Sequence, residues 1–489
     1  MLPTRESQCP NGSCPHCETS PTDKCVFSTN RSRRLARNNN TVHLFKLSEE
    51  ILIIILQFAG LVSLSVHENI SVTQAVARVM SLGSLMMVCT RLHRMILGYF
   101  RFWTVIPFIS SRSKSSLRAF KFMVMQYASK DIHLVLDWTG MADSHDRDPL
   151  QALFRGMKSE WNRVRCISIR DSCGPKEKNT IELLLSNMPV HMMARVDTLR
   201  FECGRTSLSI PHFPHLPNLA SLTIKAPDFY VQLNMEVSCG FPSSLTTLSH
   251  LRVDVPIPLH TLTGFLAQCR SLISFEWFVP GNSTKLAEDI WTEPIALLTL
   301  ETLDVIHPQH FPVLRAPRLV CATFDVHMSI PRLRAYPGLY GRAPDMANLR
   351  QMTVCICTIN RATLEQLLGT CTVLESLTLR LVSSAPFLKD ALDAVRRGAH
   401  PLLRNLRIGI LPRDEWLSRS KMIGFSTSVR ALLTAIPYLM LECTVFYHDS
   451  PSWLHQLSIE FTSRMSLVHV HESDADHNRR AWCPQRRFL

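Results

Sequence analysis

Between residues 160 and 445 one short phrase recurs, in which an apolar residue is followed at the third and fifth places by two more. It reads Val164/Ile167/Ile169, Val196/Leu199/Phe201, Leu219/Leu222/Ile224, Leu248/Leu251/Val253 and Leu272/Phe275/Trp277. It continues as Leu300/Leu303/Val305, Leu319/Ala322/Phe324, Leu349/Met352/Val354, Leu374/Leu377/Leu379 and Leu403/Leu406/Ile408. The alternation within each phrase predicts a strand with one buried face. First positions advance in steps of 19 to 32 residues, a mean of about 27 that suits leucine-rich repeats. Some intervals carry a helical pattern, as from Leu388 to Val395, and others a proline-rich turn, as from Pro211 to Pro217. A (β/α) barrel or a doubly wound sheet has a similar period, but ten strands exceed a barrel's eight. Fully buried parallel strands also run continuously apolar, which these do not. The pattern therefore predicts an irregular, leucine-rich-repeat-like solenoid over 161–450, with parallel strands and helices or turns on its convex side. It lacks the asparagine of strong leucine-rich repeats.

Ahead of the repeats the apolar spacing is helical. Leu47 precedes Ser48, a good helix cap, and Glu49-Glu50, which favour the positive helix end. Ile51, Leu52, Ile55, Leu56 and Ala59 share a face that Ile53 and Ile54 widen until the helix is apolar almost all round, predicting burial on more than one side. After a looser stretch with Gly60 and Asn69, Leu82, Leu85, Cys89, Leu92 and Ile96 follow at alternating gaps of three and four, predicting a second helix with Arg91 and Arg94 outward. Phe100, Phe102 and Trp103 close the unit. Ser115 to Ser129 reads as a further amphipathic helix and His133 to Trp138 as a strand.

These helices resemble the F-box, a module whose pattern runs L-P-x-E-I-L, then L-x-x-V-C-x-x-W-R, then L-W. Here the three parts read Leu47-Ser48-Glu49-Glu50-Ile51-Leu52, then Leu85 to His93 with Val88-Cys89 at its centre, then Phe102-Trp103. Ser48 stands where proline is usual, Leu92-His93 replace Trp-Arg, and the connection between helices is longer than usual. An F-box followed by a helix, a strand and degenerate repeats looks like the expanded F-box families of mushroom-forming fungi. The resemblance implies a substrate-recognition adaptor of an SCF-type ubiquitin ligase. The module would bind a Skp-type adaptor that links it to a cullin–RING ligase, and the repeats would hold a protein target. It puts the adaptor contact on Leu47, Ile51, Leu52, Ile55, Leu85, Val88 and Leu92, some of which form the module's own core instead. The competing reading is a leucine-rich-repeat scaffold whose helical unit caps the array, as repeat arrays require.

The expected organisation is a mixed α and β chain: a disordered Cys- and Arg-rich tail over 1–43, the F-box-like helices over 44–110, a helix–strand linker over 111–160, the solenoid, and an extension over 451–489 with a basic tail. Of 489 residues, 46% are hydrophobic and 19% charged, so broad disorder is excluded. No apolar run reaches the ~18 residues of a membrane span; the nearest, Ile51 to Val66, is interrupted by Gln57, Gly60, Ser63 and Ser65. Residues 1–40 hold no apolar secretory core, so the 16 cysteines are expected as reduced thiols in cytoplasm or nucleus. With 17 glycines, enzymes built on glycine-rich phosphate turns are disfavoured. The net charge of +13 permits an acidic partner without naming one. The basic tails lack interleaved aromatics apart from Trp482 and Phe488, so no nucleic-acid partner is expected.

No phosphate loop, dinucleotide turn, zinc-protease helix or serine elbow occurs, so no catalytic residue and no cofactor is expected. Cys14-x-x-Cys17 has ligand spacing, but Cys9 and Cys25 are badly placed to complete a zinc site, and no metal is expected there or at the His212/His215 and His307/His310 pairs. Cys166, Cys203, Cys269, Cys321, Cys355, Cys357, Cys371 and Cys443 fall in or beside strands and helices and read as small apolar core residues. Residues alternating with the buried positions are basic in the first repeats, acidic in the middle (Asp254, Glu276, Asp304, Asp325) and basic again at Arg380 and Arg407. That row is either a solvated strand face or the target-binding surface, with those four carboxylates expected to bind.

Overall fold

The computed structural model describes residues 47–61, 70, 72–109, 131–137, 161–171, 194–203, 207–210, 216–225, 236–239, 245–255, 259–277, 295–305, 314–325, 347–355, 364–365, 368–382, 385–398, 402–410, 419–445 and 452–469. The N-terminal cysteines with His16, the 115–129 helix, both histidine pairs, Cys357 and the basic C-terminal tail lie outside them. The chain divides into two compact units, Met1–Pro227 with Ser238–Pro242, and Asp228–Val237 with Ser243–Leu489.

Among the described residues the first element of the first unit is helix α1 (Glu49–Phe58), whose cap is Ser48: its hydroxyl accepts from the Ile51 amide at 3.4 Å. The helix ends on a left-handed glycine, Gly60, at φ 69°. There the Gly60 amide donates to the Gln57 carbonyl and Leu61 to Leu56, the paired bonds that close a helix C-terminus. Only Leu52 and Leu56 are buried, whereas Ile51, Ile54, Ile55 and Phe58 are exposed, Phe58 at 90%. Burial along one narrow line replaces the all-round burial that the composition of the helix predicts.

The expected second helix is two. Helix α2 (Val72–Met86) stops where Met87 and Val88 turn their amides back three residues, and α3 (Thr90–Gly98) restarts behind Cys89. Cys89 is extended and its sulfur accepts from the Leu92 amide at 3.4 Å, serving as the cap. Because the restart preserves the three-and-four spacing, the break leaves no trace in the apolar pattern. Trp103, in a short 3₁₀ turn over Phe100–Trp103, is buried and donates from Nε1 to the Ile96 carbonyl at 2.8 Å, closing the unit onto α3.

Parallel strands begin at once, with β1 (Val105–Ile109), β2 (Ile132–Asp137), β3 (Val164–Asp171) and β4 (Thr198–Cys203) side by side. After β5 (Ser207–Ile210), which stands outside this order, β6 (Ser221–Lys225) pairs with β4. Val105 and Val135, on the face that carries Ser168 and Arg200 further along, are covered by Ile70, Ala75 and Val76. The helical unit thus seals the first strands on the face that later strands leave polar. This is why β1 and β2 read as nearly continuous apolar runs and do not alternate.

Past β7 (Glu236–Cys239), the second unit lays down β8 (His250–Asp254), helix α4 (Leu259–Leu266), β9 (Ser274–Trp277), β10 (Ile295–Ala296), β11 (Thr302–Val305), β12 (Leu314–Arg315), β13 (Cys321–Asp325) and β14 (Gln351–Cys355). Then come β15 (Ser376–Val382), α5 (Ala385–Arg397), β16 (Asn405–Ile410), α6 (Arg419–Ala435), β17 (Met440–Val445), α7 (Ser452–Glu460) and β18 (Met465–His469). Strands β8, β9, β11, β13, β14, β15, β16, β17 and β18 form one parallel run in chain order, while β10 and β12 pair separately. Each strand of the run adds beside its predecessor and the order never reverses, which is a solenoid and not a doubly wound sheet.

Every apolar position of all ten phrases is at most 1% exposed. A further anchor three residues before six of the phrases joins them: Leu216, Leu245, Cys269, Leu297, Ala316 and Cys371 are equally buried. Between the anchor and the phrase the chain makes a tight turn, as in Leu219 N to Leu216 O and Leu300 N to Leu297 O. Just after most of these turns, one carbonyl accepts two consecutive amides of the next repeat. Ser249 takes Ile273 and Ser274, Ile273 takes Glu301 and Thr302, Glu301 takes Val320 and Cys321, and the pattern runs on through Val320, Arg350 and Glu375. Asn218 and Asn348, each just before a phrase, donate to the Ala194 and Pro317 carbonyls of the preceding repeat.

Candidate functional site

Two surfaces carry the residues that the sequence singles out. On the helical unit, Leu52 and Leu92 are buried and belong to the unit's own core, Leu47, Leu85 and Val88 are half-buried, and Ile51 and Ile55 are exposed. Ile54 and Phe58, absent from the expected set, extend the exposed apolar side of α1. Their signal was present in the sequence, since Ile51, Ile54, Ile55 and Phe58 follow helical spacing. Below them, Glu50 is held beneath the ordinary carboxylate range by its hydrogen bonds at the helix start, first to the backbone and then to Ser48.

The second surface is the face of the strands turned away from the leucine core. In the second unit its central row runs, strand by strand in register, through Arg252, Glu276, Asp304, Thr323, Thr353, Thr378, Arg407 and Glu442. Arg252 forks: Nε and Nη2 each donate to Asp254 Oδ2 at 3.0 Å, and Nη1 donates to Glu276 Oε2 at 2.8 Å. Burial opposes the charge on this guanidinium, but Asp254, Glu276 and, more weakly, Asp304 outweigh it and raise its pKa. Asp254 is buried at 7%, while Glu276 and Asp304 are half-buried. The structure therefore brings Asp254 and Glu276 together on one guanidinium, with Asp304 on the next strand of the same row. Asp325 ends β13, two residues beyond Thr323, with its backbone opposite Cys355. At the other end of the row Arg407 reaches Glu442 at 3.4 Å.

Burial mutes the chemistry of several described cysteines. Burial pushes Cys166, Cys269 and Cys443 up to about 12 and Cys371 to about 11, so these thiols stay protonated and act as small apolar groups. Cys321, half-buried beside Asp304, is raised first by burial and then by that carboxylate. Among the described residues no group of three or more His, Cys, Asp or Glu is arranged to hold a metal, and no helix is long and apolar enough to cross a membrane.

No protein-family model matches the sequence, and no curated protein matches it. Among solved structures, the leucine-rich repeat-containing protein LegL7 of Legionella pneumophila is similar at 12% identity, over 72% of this chain and 99% of that one, with a TM-score of 0.30. At that level the likeness adds no weight of its own; the repeat architecture stands on strand order, register and burial.

Proposed function

We propose that this chain is a non-catalytic substrate-recognition adaptor of a cullin–RING ubiquitin ligase. Helices α1 to α3 bind a Skp-type adaptor and the polar strand face holds a protein target. The observation that supports the adaptor contact is the exposed apolar side of α1, with Ile51, Ile54, Ile55 and Phe58 standing in water on a helix already anchored by Leu52 and Leu56. Each such side chain gains about 1.5–3 kcal/mol when fully buried, before the costs of association. A second reading, a repeat scaffold without a ligase, is favoured by the packing of Ala75, Val76 and Ile70 on Val105 and Val135, which makes the helical unit a cap for the first strands. The two readings separate in one experiment. Co-expression of the full chain with a Skp-type adaptor should give a stable complex, lost in the Ile51→Asp/Ile55→Asp variant with its thermal midpoint unchanged. No complex with the native chain, or undiminished capture by the variant, leaves the scaffold reading.

A further inference from the structure

We infer that the strand face of the second unit is a bipolar track for an extended peptide of the target, one that carries Lys or Arg and, about six residues away, Asp or Glu. The inference deepens the target-surface reading above and rests on it. Its first support is the distribution of charge. Over β8 to β11, Asp254 and Glu276 pair with the guanidinium of Arg252 and Asp304 stands one strand further along, so three carboxylates face one guanidinium and leave two negative charges. Over β15 and β16 the same face carries Arg380 and Arg407, and Glu442 pairs with Arg407 at 3.4 Å. Between the poles, β13 continues the acidic end with Asp325, two residues off the central row, and the outward residues Gln351 and Thr353 of β14 bear no charge.

The second support is length. Asp304 and Arg407 occupy the same row four strand steps apart, through Thr323, Thr353 and Thr378. At about 4.8 Å per step the poles are separated by about 19 Å, which an extended chain rising about 3.3 Å per residue covers in about six residues. The three half-buried threonines between them offer hydroxyls that both donate and accept. An extended backbone has free amides and carbonyls to meet them, whereas a helix has spent its own internally. Charge at the two ends then fixes register and speeds encounter more than it adds affinity.

Selection of displayed random peptides, about 16 residues long, on the full chain tests the track. Enriched peptides should carry a basic and an acidic residue about five to seven positions apart, in either chain direction, about tenfold above the starting library. The enrichment should collapse near 1 M salt, where the Debye length is about 3 Å. On the Arg407→Glu variant the preferred pair should become two basic residues at the same spacing. Arg407→Gln and Asp304→Asn, each weakening one pole, should relax the preference at that end alone, without moving the thermal midpoint. Enrichment with no charge spacing, no enrichment at all, or identical peptides selected by the native chain and Arg407→Glu overturns the inference. A preferred spacing of about 12 residues assigns the face to a helical peptide and overturns the extended form. Capture of a Skp-type adaptor is read separately, so the track stands or falls independently of the ligase assignment.

Discussion

Helix α1 and the strand run are made of the same kinds of residue, yet they use them differently. In the run, each Leu, Ile, Val or Phe of the repeating phrase is withdrawn from water, and the intervening positions take up charge and hydroxyls. In α1 the apolar residues outnumber the places available for them, and only Leu52 and Leu56 find cover. Folding demand explains the whole of the first pattern. It explains less than half of the second, and the remainder of α1 is the exposed apolar surface on which the adaptor proposal rests.

That contrast can be broken or sharpened by substitution, and the largest effect belongs to the run. Phe275→Ala empties a fully buried ring position in β9 and should cost about 3–5 kcal/mol, seen as a lowered urea midpoint. Leu52→Ala should cost about 2–5 kcal/mol in the helical unit, while Ile54→Ala, in the same helix but exposed, should stay within about 0.5 kcal/mol. Comparable losses at both positions would mean that α1 is covered after all. At the start of the helix, Ser48→Ala removes the cap and should cost about 1 kcal/mol, read in the same denaturation.

The smallest effect at neutral pH concerns the buried thiols. Cys443 keeps its proton to about 12 in the folded chain, against an ordinary value of 9.0. Below 9.0 the thiol is protonated whether the chain is folded or not, so its contribution to stability is complete there. Above it the unfolded chain sheds the proton first, and stability should fall as pH climbs towards about 12. Urea midpoints taken on either side of that threshold should show the decline, and Cys443→Val should make it shallower.

The strand phrases were legible because each carries its own alternation and needs no partner to be recognised. Strand β17 was not, since Tyr438 is exposed where the phrase wants an apolar residue and Leu439, one place later, takes the buried position before Leu441 and Cys443. The anchors at Leu216 and Leu297 were visible as an added leucine three places upstream, but Cys269, Ala316 and Cys371 fill the same site and blur the signal. At the strand face, position told which residues escape the leucine core but not how they meet. Arg252 stands two residues before Asp254, hence on one face, yet only the neighbouring strand brings Glu276 to the other arm of its fork. Likewise, helical spacing ran unbroken through Cys89 because a thiol can start a helix without disturbing the rhythm.

The doubly accepting turn carbonyls have a further consequence. At these points the main chain itself joins successive repeats, and that bond does not depend on which side chain happens to stand there: Ser249, Ile273, Glu301, Val320 and Arg350 all serve. It is also indifferent to how long the excursion is between one joint and the next, and the spacing between phrases does vary from 19 to 32 residues. A chain assembled in this manner can gain or lose residues in its connections without disturbing the junctions. Insertions and deletions become inexpensive raw material, and diversification by changes of length is open to this architecture where a tightly interlocked fold would forbid it.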